Sequence, residues 1–189
     1  MIANLKKEIR KRLLKKRNGL SPDGNAELSR LICEFICQMP EYKASDTVLL
    51  YASTRGEPDF SQIAKNAFVQ NKCVAYPISR VDSCTLDFRK ISSLDELNAG
   101  AYGILEPSDT AQVARLTEKT LCIVPALSTD KNGFRIGYGK GYYDRFLSSF
   151  PGISICALWS ELISDELVHD ENDVPVDIII TETGVVHHK

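Results

Sequence analysis

Between Arg135 and Asp144 the chain reads Arg-Ile-Gly-Tyr-Gly-Lys-Gly-Tyr-Tyr-Asp, with glycines 137, 139 and 141 alternating with Tyr138 and Lys140. Glycine tolerates positive φ and lets backbone N–H groups come close to a ligand. Arg135 and Lys140 add cationic donors. A helix beginning near Tyr142 would aim its free N–H groups and positive dipole end at the same place. These are the components of a phosphate cradle. On residue types alone the run reads equally well as a tight turn, with Tyr142 and Tyr143 as core aromatics and Asp144 as an acid favoured at a helix start.

Two familiar nucleotide motifs fail on these letters. A Walker A loop requires Gly-x-x-x-x-Gly-Lys-Ser/Thr, whereas Lys140 is followed by Gly141 and position 134 is Phe. The dinucleotide fingerprint requires Gly-x-Gly-x-x-Gly, and here the spacing is Gly-x-Gly-x-Gly. No convincing Ser/His/Asp or Cys/His set is legible, so the chemistry would rest on positioning and charge neutralisation rather than on a covalent nucleophile.

The elements around the loop are legible from their periodicity. Ile2, Leu5, Ile9 and Leu13 give one apolar face to a first, strongly basic helix. Lys6 and Arg10, four apart, share a different face. Ser21-Pro22 reads as an N-cap with proline at the first helical position, opening a helix that buries Leu28, Leu31, Ile32, Phe35 and Ile36 and stops before Pro40. Residues 47–51 form a β-rich run, and Phe60 to Phe68 follow at helical spacing. Further strands are predicted at 73–76, 85–88, 121–124 and 153–158, with a capping box at Ser92/Ser93 ahead of Asp95/Glu96 and a helix over 142–150. The chain closes with a strand over 177–181 and a hairpin through Thr183-Gly184. Strands and helices alternate from 47 to 158, which predicts an α/β fold: one domain over 1–189, a three-layer α/β/α sandwich with a largely parallel, mixed central sheet.

Composition is that of a globular protein, 43% hydrophobic and 25% charged, with a net charge of −2. The charge is uneven: eight Lys and Arg residues against Glu8 give residues 1–18 a net side-chain charge of +7. A solvated face or a contact for RNA are the ordinary readings of such a helix. Six cysteines at 33, 37, 73, 84, 122 and 156 show no CxxC pair and no zinc spacing, and read as buried thiols in a reducing compartment. No apolar run approaches a membrane span, and the charged N-terminus lacks the apolar centre of a secretion signal, so the cytoplasm is the expected location. His169 reads as a surface residue, Trp159 as a packed one, and the tail His187-His188-Lys189 as a solvated end.

A longer pattern does fit. Pro125 followed by Asp130-x-x-Gly133-x-Arg135-Ile136-Gly137-x-Gly139-x-Gly141-Tyr142-Tyr143-Asp144 resembles the defining motif of the 5-formyltetrahydrofolate cyclo-ligases, also called methenyltetrahydrofolate synthetases. The resemblance covers nearly the whole chain. Lys6 and Arg10 look like the family's basic pair, Glu57 like its substrate-contacting glutamate, and Tyr102-Gly103-Ile104-Leu105-Glu106-Pro107 like its aromatic-Gly-Ile segment. Glu171-Asn172-Asp173 with Val176-Asp177 is similar to its C-terminal acidic motif, while residues 60–100 match only loosely. Ala126, Thr129 and Ile136 depart from the common pattern.

The resemblance implies a ligase that uses ATP to convert 5-formyltetrahydrofolate to 5,10-methenyltetrahydrofolate, releasing ADP and phosphate. It implies that Lys6, Arg10 and the loop Arg135, Ile136, Gly137, Tyr138, Gly139, Lys140, Gly141, Tyr142 and Tyr143 bind ATP, with Lys140 and Arg135 in catalytic roles. Glu57 and Tyr102, with Tyr138 to Tyr142, would hold the folate and its formyl group. Asp144 and Asp173 are the implied Mg2+ ligands, since hard carboxylate oxygens suit that ion. A monomer without nucleic-acid or membrane partners is expected. Competing readings are another ATP-dependent phosphotransferase acting on an anionic metabolite, and a nucleic-acid module using the basic helix.

Overall fold

The computed structural model describes residues 2–19, 22–54 and 56–188; Ser21, expected as a helix cap, lies outside the described residues. The helices are α1 (Ile2–Asn18), α2 (Pro22–Gln38), α3 (Pro40–Ala44), α4 (Ser61–Val69) and α5 (Tyr142–Leu147). The first six strands are β1 (Thr47–Leu49), β2 (Cys73–Arg80), β3 (Thr85–Ile91), β4 (Asn98–Ala99), β5 (Leu105–Glu106) and β6 (Thr120–Val124). The remainder are β7 (Ser128–Asp130), β8 (Arg135–Ile136), β9 (Ile153–Ala157), β10 (Ile163–Ser164), β11 (Ile178–Thr181) and β12 (Gly184–His188).

Seven strands form the central sheet in the order β12-β11-β9-β6-β1-β2-β3. The five inner strands are parallel, and an antiparallel hairpin closes each edge, β2–β3 on one side and β11–β12 on the other. The inner runs are apolar throughout because helices cover both of their faces: β1, β6 and β11 are buried at every position. The main core joins α2 and α4 to these strands through Ile32, Ile36, Leu49, Ile63, Ile123 and Ile179. The mixed, mainly parallel α/β sandwich is the one expected.

From β1 the chain passes through α4 to β2, and from β6 through α5 to β9, in opposite directions across the sheet. Right-handed crossovers set these two helices on opposite faces, opening a crevice beyond the carboxyl ends of β1 and β6. The residues that follow β1 run to Glu57, and those that follow β6 begin at Pro125.

Several local expectations are corrected. Strands 73–76 and 85–88 extend to Arg80 and Ile91, because pairing with each other continues the ladder past their apolar ends. The α5 helix stops at Leu147 instead of Phe150. Between β3 and β6 lie two 3-10 turns, one capped by Ser93 and Glu96 as predicted, and the short antiparallel pair β4–β5. The polar stretch before the glycine loop is a second small sheet, β10-β7-β8.

The clearest correction concerns α1. Its inward stripe keeps Ile9 and Leu13 but not Leu5: Leu5 is 45% exposed, whereas Lys6 is only 7% exposed. Leu13 packs with Leu127, Ile136 and Leu167 in a separate small core that docks α1 on the β7–β8 hairpin. That docking turns Lys6, Leu13 and Arg17 inward, at steps that share one helical face. Among the described residues, no helix is long and apolar enough to cross a membrane. Cys33, Cys122 and Cys156 are buried as expected, Cys37, Cys73 and Cys84 are partly exposed, and all six are unpaired thiols.

Candidate active site

The crevice holds a cavity of about 940 Å3, within the usual range for small-molecule sites. Every residue singled out from the sequence lines it: Lys6 and Arg10 from α1, Glu57 after β1, Tyr102, the run Arg135 to Asp144, and Asp173. A second chamber of about 440 Å3 shares Tyr51, Ala52, Thr54 and Glu57 with the first, and its far wall is formed by Tyr76, Leu94, Leu97 and Leu105. The first compartment gathers the cations Lys6, Arg10, Arg135 and Lys140 together with the carboxylates Asp144, Asp170 and Asp173. The adjoining one has an apolar far wall and a polar near side, with Glu57 shared by both.

The glycine loop is anchored at its base by residues whose task is structural. Asp130 is fully buried, and its carboxylate accepts from the backbone N–H of Asn132, Phe134 and Leu167 at 2.9, 3.1 and 3.0 Å. Gly133 has φ +90°, and a Cβ there would meet the Val176 carbonyl oxygen at 2.5 Å. Thr129 is buried within the hairpin and donates to Phe134 O at 2.9 Å, while Ala126 offers its carbonyl to Arg17 at 3.3 Å. These two of the three departures from the family pattern thus occupy the loop's footing.

Within the loop, Gly139 has φ +98°, and a Cβ there would stand 3.0 Å from Arg10 Cζ. Arg10 Nε donates to Gly137 O at 2.9 Å, so the guanidinium lies against the loop backbone. Gly141, at φ +69°, ends the loop as the N-cap of α5. Lys140 is exposed, and its ammonium has no hydrogen-bond or ion-pair partner among the described residues.

Two expected metal ligands are each held by a cation. Arg135 donates to Asp144 Oδ1 at 2.8 Å and to Val174 O at 3.3 Å, and its second terminal nitrogen is buried without a partner among the described residues. Lys6 donates to Asp170 at 2.9 Å and also bonds Asp173. Burial by itself would lower the Lys6 pKa, but hydrogen bonds and charge from Asp173 and Asp170 hold it above the ordinary lysine value. Lys6 in turn draws Asp170 below the usual carboxylate range.

Glu57 is nearly sealed from solvent. Its Oε2 accepts from Thr54 N at 2.9 Å, and its Oε1 from the Tyr138 hydroxyl at 3.0 Å and from Arg17 at 3.4 Å. Burial raises its pKa, opposed by the Arg17 charge and the hydrogen bonds from Thr54 and Tyr138. Tyr102 takes a left-handed backbone, φ 58°, with its hydroxyl 3.3 Å from that of Tyr142 across the cavity mouth. The hydroxyl of Tyr143 is buried without a hydrogen-bond partner among the described residues, and burial raises its pKa well above the ordinary tyrosine value.

Sequence reading missed Arg17 and Asp170. Arg17 was hidden among seven other basic residues; its signal is its phase with Lys6, Arg10 and Leu13. Asp170 lies just ahead of the acidic motif. Trp159 packs as expected, donating from Nε1 to Gly56 O at 2.8 Å, and the exposed His169 stacks on Phe134 with ring centroids 3.6 Å apart.

Among the described residues, no group of three or more His, Cys, Asp or Glu side chains converges into a ready metal cage. The donor set nevertheless fits magnesium, which takes one or two carboxylates and completes its shell with substrate phosphates and water. Asp144 and Asp173 supply two such carboxylates on one cavity wall.

The comparisons agree with one another. The profile of the 5-formyltetrahydrofolate cyclo-ligase family matches residues 2–182. The 5-formyltetrahydrofolate cyclo-ligase of Mus musculus is 26% identical, over 96% of this chain and 95% of its own, and that of Escherichia coli K12 is 25% identical, over 90% and 96%. The solved structure of the Aquifex aeolicus 5,10-methenyltetrahydrofolate synthetase is 31% identical, superposes with a TM-score of 0.84, and is matched over 96% of this chain and 91% of its own. A matching profile over almost the entire chain, with relatives aligned nearly end to end, means that this protein belongs to the 5-formyltetrahydrofolate cyclo-ligase family of enzymes.

Proposed function

We propose that this protein uses ATP, with Mg2+, to convert 5-formyltetrahydrofolate to 5,10-methenyltetrahydrofolate. The observation that carries the reading is the convergence of Lys6, Arg10, Glu57, the Arg135–Asp144 loop and Asp173 on one cavity. These residues come from four distant segments, and together they offer an anion cradle beside an apolar chamber.

The formyl oxygen is a poor leaving group until it carries phosphate. It attacks the γ-phosphorus of ATP, the bond to ADP breaks, and a phosphorylated iminium forms at N5. The N10 lone pair then adds to the formyl carbon, N10 loses its proton, and the C–O bond breaks as phosphate departs with the former formyl oxygen. The enzyme's part is to hold two substrates in line and to neutralise negative charge as it moves.

The side chains divide that work. Arg10 and the loop amides flank the triphosphate, and the unpartnered Lys140 meets the charge on the transferred phosphoryl. Lys6 and Arg135 release their carboxylates and turn to phosphate oxygens, each exchange trading one ion pair for another. The freed Asp144 and Asp173 would hold magnesium, which supplies further neutralisation of the phosphates. Glu57 accepts hydrogen bonds from the polar edge of the folate ring, whose body packs against the apolar chamber, and Tyr102 covers its face. The same reading takes residues 1–189 as one domain, acting as a monomer in the cytoplasm without nucleic acid.

The test is spectrophotometric. Purified protein given 5-formyltetrahydrofolate should produce the methenyl absorbance only when ATP and Mg2+ are both present. Equal product without ATP, or none with it, would contradict the proposal.

A further inference from the structure

Arg17 ends the buried stripe of α1 and is itself only 1% exposed. Its guanidinium touches three separate parts of the site. One terminal nitrogen donates to Glu57 Oε1 at 3.4 Å and to Ala126 O at 3.3 Å, and the other bonds the Tyr138 hydroxyl. The guanidinium carbon also stands 5.5 Å from the Tyr138 ring centroid, within cation–π range. Tyr138 completes a triangle by donating to the same Glu57 oxygen at 3.0 Å. Gly56 packs on the stem of Arg17: a Cβ there would meet Arg17 Cγ at 3.6 Å.

We propose that Arg17 is a positioning residue that ties the glycine loop, through Tyr138, to Glu57, so that the loop and the folate-side carboxylate are set by one buried cation. The substrate assignment rests on the cyclo-ligase reading above; the tie between loop and carboxylate does not. Lysine would not reproduce it, because only the planar guanidinium presents several donors in fixed directions.

Charge gives the arrangement a second consequence. Glu57 is faced by Arg17 from α1, Tyr138 from the loop, Tyr51 after β1, Tyr143 from α5 and Cys156 from β9. Arg17 is the one cation in that set, the others being neutral until deprotonated. Burial pushes the carboxyl toward its protonated form and Arg17 opposes this. Without Arg17 the group stays protonated to higher pH and loses its capacity to accept from the folate edge.

Arg17→Met and Arg17→Lys test both parts. Amide hydrogen exchange of residues 137–141 in the ligand-free protein reads the tie without any substrate. It should quicken by roughly tenfold or more in Arg17→Met, as it should in Tyr138→Phe, and by less in Arg17→Lys. Unchanged exchange would overturn the tie whatever the protein's activity.

Steady-state assays read the second part. Arg17→Met should raise KM for 5-formyltetrahydrofolate by roughly ten- to a hundredfold, and KM for ATP by a smaller factor, since the loosened loop also flanks the triphosphate. The acidic limb of the folate kcat/KM profile should move to higher pH, and Arg17→Lys should return part of the way. An equal loss for both substrates, or a stationary limb, would reduce Arg17 to a packing residue. Should Arg17→Met not fold, Arg17→Lys carries the same readouts, and the Arg17→Met/Glu57→Gln double variant, which buries no lone charge, carries the exchange readout alone. Absence of turnover in the wild-type protein would count against the cyclo-ligase reading alone, leaving the exchange result to decide the tie.

Discussion

Arg135 and Asp144 stand 2.8 Å apart at opposite ends of the glycine loop, clasping it at its base. The arginine side chain is only 3% exposed, so its carboxylate partner is part of the fold as well as of the site. Removing one member of a buried pair costs on the order of 3–5 kcal/mol, less where a neutral hydrogen-bond acceptor remains. Asp144→Asn should therefore lower stability by about 1–2 kcal/mol in chemical denaturation. It should also sharply raise the Mg2+ concentration needed for half-maximal turnover. An unchanged magnesium titration would remove Asp144 from the metal site.

Lys140 gives the opposite contrast between stability and activity. Because its ammonium is exposed and unpartnered among the described residues, Lys140→Ala should leave the thermal midpoint nearly unchanged. Turnover should fall by roughly a hundredfold or more, the usual cost of losing a group that meets charge in the transition state. Near-normal kcat would refute its catalytic role.

Lys6 holds Asp173 and Asp170 in the ligand-free state, so nucleotide and metal should bind cooperatively. Magnesium alone competes with an ammonium for the carboxylates; phosphates draw that ammonium away. Lys6→Met should strengthen Mg2+ binding without nucleotide and weaken ATP binding, each by roughly tenfold, in titration calorimetry. Equal metal affinity in the two proteins would rule out the exchange.

Gly139 tests the loop's geometry. An alanine there would be strained by a φ of +98° and would press on Arg10. Gly139→Ala should cost about 1–3 kcal/mol of local strain, seen as a loss of ATP affinity with β-sheet circular dichroism intact. Gly137, whose Cβ would meet nothing within 4 Å, should tolerate the same change far better.

The sheet and the loop were legible because both depend on local letters. Apolar runs at 47–51, 121–124 and 153–158 are what a parallel sheet covered on both faces requires. The glycine spacing and its flanking Asp144 are contiguous. What escaped was tertiary. The face of α1 was assigned from its own periodicity, but a small core around Leu13, Leu127 and Ile136 rotates Lys6 and Arg17 inward. Which of the eight cations are buried follows from their phase with Leu13, and that phase decides only once Leu13 has a core to dock on. Nor does a local pattern show that Asp144 and Asp173 begin bound to cations, because those partners are contributed by other segments.

Glu57 is the carboxylate among the four residues shared by the main cavity and the adjoining chamber. Its folded pKa is raised by burial, so the folded state holds the proton more tightly than the unfolded chain. The contribution of Glu57 to stability is then fully present below the ordinary glutamate value of about 4.3 and is lost as pH rises through the folded value. On the proposed function, folate binding should run the other way, strengthening as the carboxylate forms.

The most direct measurement is the ATP- and Mg2+-dependent methenyl absorbance from 5-formyltetrahydrofolate, recorded across pH for the wild-type protein and Glu57→Gln. The account predicts turnover in the wild type, with an acidic limb above the ordinary glutamate range, and a folate KM raised by roughly a hundredfold and lacking that limb in the variant. Absence of ATP-dependent product, or a variant indistinguishable from wild type, would contradict it.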